Sequence, residues 1–226
     1  MSYKILVMSC DKNQDLWEPF HYCIEKYWPN HPEVIYSTET TINPYYKTIC
    51  KNYSIKQYTK RIRDTLKEVD SDIVLLMMDD TFIRKQVNIE VLDKLIEYIN
   101  NNLIAINLEP PRPFKPIDLK FNEILNIRHP LGKYHSSLQP QLWNKNKLIE
   151  LFSVDCDPWE AERLGDNSQY TFGNIATTNV DFDYGKLPNK YPFSIVQGKW
   201  TQECKDFFDK ENFEIDYSIR GFYKWK

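Results

Sequence analysis

The sequence predicts an α/β fold in which a mostly parallel sheet is flanked by helices. Short apolar runs at 4–10, 72–78 and 103–108 alternate with amphipathic segments whose apolar positions recur at helical spacing. The second run is apolar at every position after Asp72 rather than alternating, which is typical of a central strand covered on both sides. The order strand, helix, strand therefore indicates β-α-β units and largely parallel strands.

Amphipathic segments in the first half predict helices. The first has apolar positions at Leu16, Phe20, Ile24 and Tyr27. The second begins at a capping-box pattern, 54–57, and its basic side chains are left for solvent or a ligand. A third precedes the strand at 103–108, and a further strand is predicted at 33–37 with a loop at 40–44. The second helix has an apolar face of Ile55, Tyr58, Ile62, Leu66 and Val69 and a basic face of Lys56, Lys60, Arg61, Arg63 and Lys67.

The second half of the chain is less regular. Prolines at 111, 113 and 116 indicate a loop, and a turn-rich region extends to Pro192. Short strands are predicted at 124–127, 136–138 and 193–196, and helices at 144–152, from Asp157, and at 201–210. We predict one domain over 1–226, with a sheet-based half at about 1–110 and a less regular half at 111–226.

Composition and charge exclude several classes of protein. The 29 basic and 32 acidic side chains give a net charge of −3, which argues against a nucleic-acid partner, because binding to phosphates needs a basic surface. No apolar run approaches the roughly 20 residues of a membrane-spanning helix, and a signal peptide is not expected. The five cysteines lack C-x-x-C spacing, so neither a disulfide framework nor a zinc ribbon is indicated, and a cytoplasmic protein is expected.

Carboxylates directly follow two of the predicted strands. Asp11 follows the first, and Asp79 and Asp80 follow the most hydrophobic one. In an open α/β sheet, ligands bind outside the carboxyl ends of the strands. Adjacent carboxylates repel each other unless a cation compensates, and Mg²⁺ or Mn²⁺ is a natural partner. The alternative is that Asp79 or Asp80 only caps a turn.

A second acidic segment follows Asp157. Pro158 suits the first helical position, and Glu160 falls three residues after the cap as the partner of a capping box. That gives Glu160 a structural role. Glu162 has no such role, so it is the better candidate for a general base, with Glu160 as the second choice. The alternative for Glu162 is an ordinary exposed glutamate on a helix.

Taken together, these segments resemble the GT-A-type glycosyltransferases of bacterial capsule and lipopolysaccharide gene clusters, which are cytoplasmic and transfer a sugar from a nucleotide-sugar donor. The resemblance covers most of the chain and implies a GT-A-like, Rossmann-type sheet with a nucleotide-binding half at 1–110 and an acceptor-binding half at 111–226. It is carried by Ser9-Cys10-Asp11 with Asp15-Leu16-Trp17, Tyr27-Trp28-Pro29, the basic helix with Arg61, 74–82, Ser137-Leu138-Gln139-Pro140 with Trp143, 158–162, and Gln197-Gly198-Lys199-Trp200.

The resemblance assigns donor-binding roles in the first half. Cys10 and Asp11 would hold the nucleoside, and Arg61 would face the base or the phosphates. The Asp-x-Asp-like element is Asp79-Asp80, which would bind the donor diphosphate through Mn²⁺ or Mg²⁺. The sequence departs from the strict three-residue form, so which carboxylate ligates directly stays open.

The resemblance also assigns residues in the second half. Glu162 would be the catalytic base of an inverting enzyme, Trp159 and Gln139 would contact the sugar or acceptor, and Lys199 would meet a phosphate. The donor implied is a UDP-hexose, and the acceptor a glycan or lipid-linked glycan of capsule or lipopolysaccharide biosynthesis. The protein would then be cytoplasmic and able to associate peripherally with the inner face of the cell membrane.

Two other functions remain open at this point. Strand-end carboxylates with Mg²⁺ also suit a nucleotidyltransferase or another nucleotide-dependent enzyme, although neither a G-x-x-x-x-G-K-[ST] loop nor a G-x-G-x-x-G fingerprint occurs among the 6 glycines. The aromatic content of 15% would also suit a non-catalytic carbohydrate-binding protein. Such a protein has no need of Asp79 and Asp80 at the end of a buried strand.

Overall fold

The computed structural model describes residues 3–108, 118–176 and 194–224. Within these ranges, nine strands form one sheet in the order β3-β2-β1-β4-β8-β5-β9-β7-β6, and two more form a small hairpin. The strands of the sheet are β1 Tyr3–Met8, β2 Val34–Thr38, β3 Lys47–Cys50, β4 Ile73–Met78, β5 Leu103–Asn107, β6 Leu119–Lys120, β7 Leu125–Ile127, β8 Gln141–Asn144 and β9 Thr171–Ile175; the hairpin is β10 Ile195–Val196 and β11 Lys199–Trp200.

Six α-helices accompany the strands in the described ranges: α1 Trp17–Tyr27, α2 Tyr58–Leu66, α3 Ile89–Tyr98, α4 Lys145–Leu151, α5 Pro158–Ala161 and α6 Gln202–Lys210. Short 3₁₀ turns, Asp11–Leu16 and Ile55–Gln57, lead into α1 and α2. None of the helices in the described part of the chain combines the length and the hydrophobicity that crossing a membrane requires.

The direction of the strands sets the position of the loops. Strand β1 pairs in parallel with β2 and β4, and β2 with β3, whereas β8 lies antiparallel between β4 and β5. Strand β9 is parallel to β5, and β7 is antiparallel to β9. Only β7 and β8 therefore run against the other strands of this sheet in the described ranges. The α/β fold with a mostly parallel sheet is confirmed, and the carboxyl ends of β1, β2, β4 and β5 share one edge.

Helices cover both faces of the sheet. On one face, α1, α3 and α6 bury apolar side chains such as Phe20, Leu95 and Phe208. On the other, α2, α4 and α5 bury Ile62, Leu148 and Ala161. Because both faces are covered, the central strands are apolar throughout, as predicted. Much of the aromatic content is core, including the fully buried Trp28, Trp143 and Trp200.

The second half contains the main differences from the predicted elements. The strand predicted at 136–138 is wrong, and the chain enters the sheet only at Gln141. Ser136 is held in a loop because its hydroxyl donates to the carbonyl of Ala161 (2.7 Å) and accepts from the N–H of Gly165 (3.0 Å). Five strands in the described ranges were not predicted: β3, β6, β8, β9 and β11. Strand β9 contains Gly173, where a Cβ would lie 2.8 Å from a Leu125 methyl, so the glycine that obscures the strand pattern permits close packing.

The start of α2 also differs from the prediction. The prediction of a capping box at Ser54 is wrong, because the Ser54 side chain bonds to no backbone N–H and the α-helix begins at Tyr58. Ile55, predicted on the apolar face, is exposed. Arg61, predicted on the basic face, is buried. The helix therefore turns one basic side chain inward. The prolines at 111, 113 and 116 and the start of the strand at 193 lie outside the described residues, and the division into two halves at about 110 stays a prediction.

Candidate active site at the carboxyl ends of the strands

The turn after β4 brings Asp79 against residues that follow β1. Asp79 is only 1% exposed, and its carboxylate accepts hydrogen bonds from the Ser9 hydroxyl (2.5 Å) and the Asn13 amide (3.1 Å). The Trp17 indole N–H donates in turn to the Ser9 oxygen (2.8 Å). Burial and the negative charge of Asp80 raise the pKa of Asp79 to about 8, although the two hydrogen bonds act in the opposite direction. The fold therefore uses both oxygens of Asp79.

Asp80 differs from its neighbour in its contacts. Asp80 is partly exposed. Within the described residues, its carboxylate forms a hydrogen bond only with its own backbone N–H. Burial raises the pKa of Asp80 to about 6, while the nearby positive charge of Arg220 lowers it. The turn itself is closed by Thr81, whose hydroxyl and N–H both donate to the Met78 carbonyl. Because Thr81 closes the turn, a turn-capping role is not needed to explain either aspartate.

A second network joins the ends of β1 and β2 to α2. The N–H of Asp11 donates to Glu39 (2.6 Å), and Arg61 donates to the other Glu39 oxygen (2.5 Å). The Asp11 carboxylate accepts from Thr40 and Thr41, including both backbone N–H groups. Burial alone would raise the pKa of Asp11, but these hydrogen bonds outweigh it and lower the pKa to about 2. Asp11 thus fixes the loop after β2. We call residues 9–13, 39–41 and 79–80 the rim.

Cys10 lies on the rim between these two networks. Burial, together with the negative charges of Asp79 and Glu39, raises the pKa of its thiol, and Arg61 has the opposite effect. The structure thus brings Cys10, Asp11, Arg61 and Asp79, all predicted as donor-binding residues, to one edge of the sheet.

The α5 region places its two glutamates in different environments. Asp157 accepts from the N–H of Glu160 (3.0 Å), and Glu160 accepts from the N–H of Asp157 (3.1 Å), so the predicted capping box is confirmed. Glu162, at the carboxyl end of α5, is partly buried and accepts from the N–H of Leu138 (3.1 Å) through one oxygen. Trp159, on the same short helix, is 71% exposed. Glu162 therefore faces the loop that leads into β8.

Tyr58 connects α2 to the end of β4. It is buried at the start of α2, and its hydroxyl donates to the Met78 sulfur (3.4 Å) at the end of β4. Burial raises the pKa of Tyr58; the charge of Arg61 opposes this, and the charges of Glu162, Asp79 and Asp80 add to it. Tyr58 therefore joins the start of α2 to the end of β4, directly before Asp79.

The remaining predicted residues lie on neighbouring segments. Gln139 precedes β8 at the same edge, and its buried side-chain oxygen has no hydrogen-bond partner among the described residues. Lys199 is exposed on β11. The adjacent Gly198 carbonyl lies 3.5 Å from a nitrogen of Arg220, which itself contacts the rim through Asn13 (2.9 Å). Lys199 therefore lies on a hairpin close to the rim.

Sequence reasoning did not single out several residues of this site. Ser9, Asn13, Glu39 and Arg220 were not predicted as site residues, yet each bonds directly to a predicted residue or to one of its partners. Ser9 and Asn13 could have been suspected from their position after the first strand. Arg220 had no comparable signal, because it lies far along the chain from every residue that it contacts.

The donor set at the rim constrains the cation that it could bind. Within the described ranges, no group of three or more His, Cys, Asp or Glu side chains could hold a metal ion by itself. Asp80 retains unused oxygen lone pairs, whereas Asp79 is already hydrogen-bonded through both oxygens. Mg²⁺ in nucleotide sites is typically held by one or two carboxylates together with phosphates and water. The residues therefore fit a cation that arrives with a phosphate ligand and do not fit an all-protein cage.

Comparisons with known proteins give little beyond this geometry. No protein-family model and no curated protein matches the chain. Among solved structures, S. aureus TarS aligns at 13% identity and a TM-score of 0.48 over 80% of this chain and 38% of its own. The galactosyltransferase LgtC, in complex with donor and acceptor sugar analogs, aligns at 11% identity and a TM-score of 0.41 over 65% of this chain and 59% of its own. A cytidylyltransferase from Leptospira borgpetersenii aligns at 12% identity and a TM-score of 0.44 over 100% of both chains.

This chain therefore spans less than two thirds of the length of TarS or LgtC. Both glycosyl- and cytidylyl-transferring proteins occur among the aligned structures, at identities and TM-scores too low to distinguish between them. The function has to be inferred from the site.

Proposed function

We propose that this protein is a nucleotide-sugar-dependent glycosyltransferase that uses a divalent cation and inverts the configuration of the transferred sugar. One observation carries the proposal: Asp79 and Asp80 follow β4, the Arg61–Glu39 pair lies after β2, and the Leu138 N–H that binds Glu162 lies before the antiparallel β8, so all of them lie at one edge of the sheet. A pair of carboxylates for a cation and a separate carboxylate for a proton therefore lie around one region. Those are the two charged elements that a metal-assisted, single-displacement sugar transfer needs.

The rim would bind the nucleoside diphosphate part of the donor. Asp80, with Asp79 beside it, would hold Mn²⁺ or Mg²⁺, which when bound offsets the charge that develops on the departing diphosphate. Arg61 is held by Glu39 at the ends of β1 and β2, where it supplies a fixed positive charge. Cys10 and Asp11 would hold the nucleoside beside it, and Lys199 on its hairpin would meet a phosphate. We propose a UDP-hexose as the donor.

Glu162 would remove the proton from the acceptor hydroxyl. One of its oxygens is held by the N–H of Leu138, so the carboxylate is oriented while the second oxygen is left to accept a proton. The exposed Trp159 offers a flat apolar surface to a sugar ring, and Gln139 offers an unpaired acceptor oxygen. The acceptor would be a glycan or lipid-linked glycan of a surface polysaccharide, reached in the cytoplasm or at the inner face of the membrane.

Nucleotidyl transfer is the second candidate, because strand-end carboxylates that hold a cation also suit attack on a nucleoside triphosphate. The feature that favours sugar transfer is Glu162. It supplies an oriented third carboxylate away from the β4 turn, and attack by a sugar phosphate on a triphosphate does not require a base there, because the attacking phosphate is already ionised. The two reactions release different products, so they can be separated directly.

The test is a panel assay on the purified full chain. The chain is incubated with UDP-, GDP-, TDP- and CMP-sugars, with and without Mn²⁺, and release of free nucleotide is measured. A parallel panel of nucleoside triphosphates with sugar phosphates is monitored for pyrophosphate. We expect metal-dependent nucleoside diphosphate release from at least one nucleotide sugar. Pyrophosphate release without nucleoside diphosphate release would overturn the proposal in favour of nucleotidyl transfer.

A matched pair of variants connects the assay to the rim. Asp80→Asn removes the carboxylate proposed to hold the cation, and Asp72→Asn changes an exposed aspartate at the opposite end of the same strand. We expect Asp80→Asn to lower metal-dependent turnover by roughly 10²–10³-fold, the typical cost of losing one charge-stabilising group. Asp72→Asn should leave turnover unchanged. Equal turnover in the two variants would remove Asp80 from the proposed cation site.

A further inference from the structure

A chain of hydrogen bonds connects the segment at 217–223 to the turn after β4. Arg220 forms a two-pronged ion pair with Asp15, with both N–O distances 2.6 Å. A guanidinium nitrogen also donates to the Asn13 side-chain oxygen (2.9 Å), and the Asn13 amide nitrogen donates to Asp79 (3.1 Å). Ser9, held by Trp17, donates to the other oxygen of Asp79. This series of hydrogen bonds therefore runs from Arg220 through Asn13, Asp79 and Ser9 to Trp17.

The direction of every hydrogen bond in this chain is determined by its two ends. A guanidinium can only donate, so Asn13 must turn its oxygen toward Arg220 and its nitrogen toward Asp79. An indole N–H can also only donate, so Ser9 accepts from Trp17 and directs its own proton to Asp79. Both neighbours therefore present donors to the Asp79 carboxylate. Such an arrangement stabilises the carboxylate in a single orientation.

The segment that carries Arg220 is itself docked by backbone hydrogen bonds. The N–H of Trp200 donates to the Gly221 carbonyl (3.0 Å), and the N–H of Tyr223 donates to the Trp200 carbonyl (2.8 Å). Arg220 is largely buried, with 11% of its side chain exposed. Its guanidinium is therefore held from both sides, by its own segment and by Asp15 in the turn before α1.

We propose that Arg220 is a positioning residue that, through Asn13, orients the Asp79 carboxylate beside Asp80. The segment at 217–223 is then part of the rim, and its docking determines how the acidic turn is presented to a ligand. The consequence for cation binding rests on the proposed function, whereas the orientation of Asp79 does not.

The first experiment monitors Trp17, which lies at the opposite end of the series of hydrogen bonds from Arg220. The indole N–H resonance of Trp17 is assigned by Trp17→Phe in a ¹⁵N-labelled sample without metal or nucleotide. In Arg220→Gln we expect this resonance to move by more than its linewidth, because Asn13 loses its fixed orientation and the Asp79–Ser9 contact changes. The Trp143 resonance, on the opposite face of the sheet, should stay in place and report intact folding. A Trp17 resonance that stays in place in the folded variant would overturn the proposal.

Asn13→Ala keeps the test decisive if Arg220→Gln fails to fold. That variant breaks the chain of hydrogen bonds but leaves the Arg220–Asp15 ion pair, so the segment remains docked. We expect the same displacement of the Trp17 resonance, and the double variant should add nothing further, because the two residues act in series. If the displacements of the Trp17 resonance in the two single variants add up in the double variant, Arg220 and Asn13 act independently, and the proposal is overturned. Arg63→Gln is the matched control, since Arg63 also binds a carbonyl, of Phe152, and a carboxylate, of Asp155, away from the rim. Arg63→Gln should leave the Trp17 resonance unchanged.

The second experiment measures the consequence for a cation. Binding of Mn²⁺ in the presence of UDP is titrated by electron paramagnetic resonance for the full chain and its variants. We expect Arg220→Gln and Asn13→Ala to weaken Mn²⁺ binding roughly 10- to 100-fold, as is usual when the support of a metal ligand is removed. If Asp80→Asn weakens Mn²⁺ binding and these two variants do not, the positioning role of Arg220 is overturned and the proposed cation site is kept. If Asp80→Asn has no effect on Mn²⁺ binding, the proposed cation site is wrong, while the resonance test still decides whether Arg220 positions Asp79.

Discussion

The turn after β4 contains Asp79 and Asp80, and α5 with the residue that follows it contains Glu160 and Glu162. The fold treats the two members of each pair differently. Asp79 accepts from Ser9 and Asn13, and Glu160 exchanges hydrogen bonds with Asp157. Their neighbours Asp80 and Glu162 keep lone pairs unused. In both regions, one acid maintains the local structure, and the other is the one that we propose to act on a ligand.

The two regions differ in how much the structural acid matters. Asp79 is the buried member of the rim, so its hydrogen bonds replace water. Glu160 is exposed, so water can replace its contacts at small cost. The environment, and not the motif, therefore determines what removal of each acid does. Substitutions of one acid at a time can test this comparison.

The largest expected effect is on catalysis, in the α5 pair. Glu162→Gln keeps the acceptor oxygen for the N–H of Leu138 but cannot take a proton, so we expect kcat to fall by roughly 10²–10⁴-fold with donor binding unchanged. Glu160→Gln is the matched control, because glutamine also completes a capping box. Steady-state kinetics with the donor found in the panel assay measure both. Loss of activity in Glu160→Gln but not in Glu162→Gln would reverse the two roles.

The next effect is on stability, in the β4 pair. Asp79→Ala leaves the buried donor of Ser9 and the partly buried donor of Asn13 without their acceptor, and we expect a loss of about 1–3 kcal/mol in the free energy of unfolding. Asp80→Ala removes a like charge beside Asp79 and takes an acceptor only from the backbone N–H of its own, partly exposed residue, so its stability should equal or exceed that of the parent protein. Urea denaturation in the presence of EDTA measures both. Equal losses in the two variants would show that the two aspartates are not distinguished by their hydrogen bonds.

The same comparison explains what could be predicted from the sequence. Apolar runs without alternation identified β1, β4 and β5, and the cap at Asp157 predicted the role of Glu160, because both signals are local. The roles of Glu162 and Asp80 stay predictions. The support that Arg220 gives to this turn could not be predicted, since Arg220 is 205 residues from Asp15 along the chain. Strand β8 was missed because its position between β4 and β5 depends on pairing that no local pattern encodes.

A smaller effect is expected from the helix cap that accompanies Glu160. Asp157→Ala removes the acceptor for the N–H of Glu160, and loss of such a cap typically costs about 1 kcal/mol. The same substitution removes the exposed Lys56–Asp157 ion pair (3.2 Å), so Lys56→Ala is the control that removes only the ion pair. We expect Lys56→Ala to change the free energy of unfolding by less than about 0.5 kcal/mol. Equal losses in urea denaturation would assign the effect to the ion pair and not to the cap.

The smallest effect concerns Asp11, a third structural acid at the rim, and it depends on pH. Thr40 and Thr41 hold the pKa of Asp11 at about 2 in the folded protein, against about 3.9 for an unfolded aspartate. Because the folded pKa is the lower one, the ionised carboxylate stabilises the fold above about pH 4, and this contribution is lost as the pH falls toward 2. Solvent near the loop limits it to about 1 kcal/mol. In urea denaturation, the difference between the parent protein and Asp11→Asn should therefore stay constant from pH 6 to about pH 5 and shrink from there to pH 3. A difference that stays constant over this range would mean that Asp11 acts through its shape and not through its charge, unlike the acids after β4.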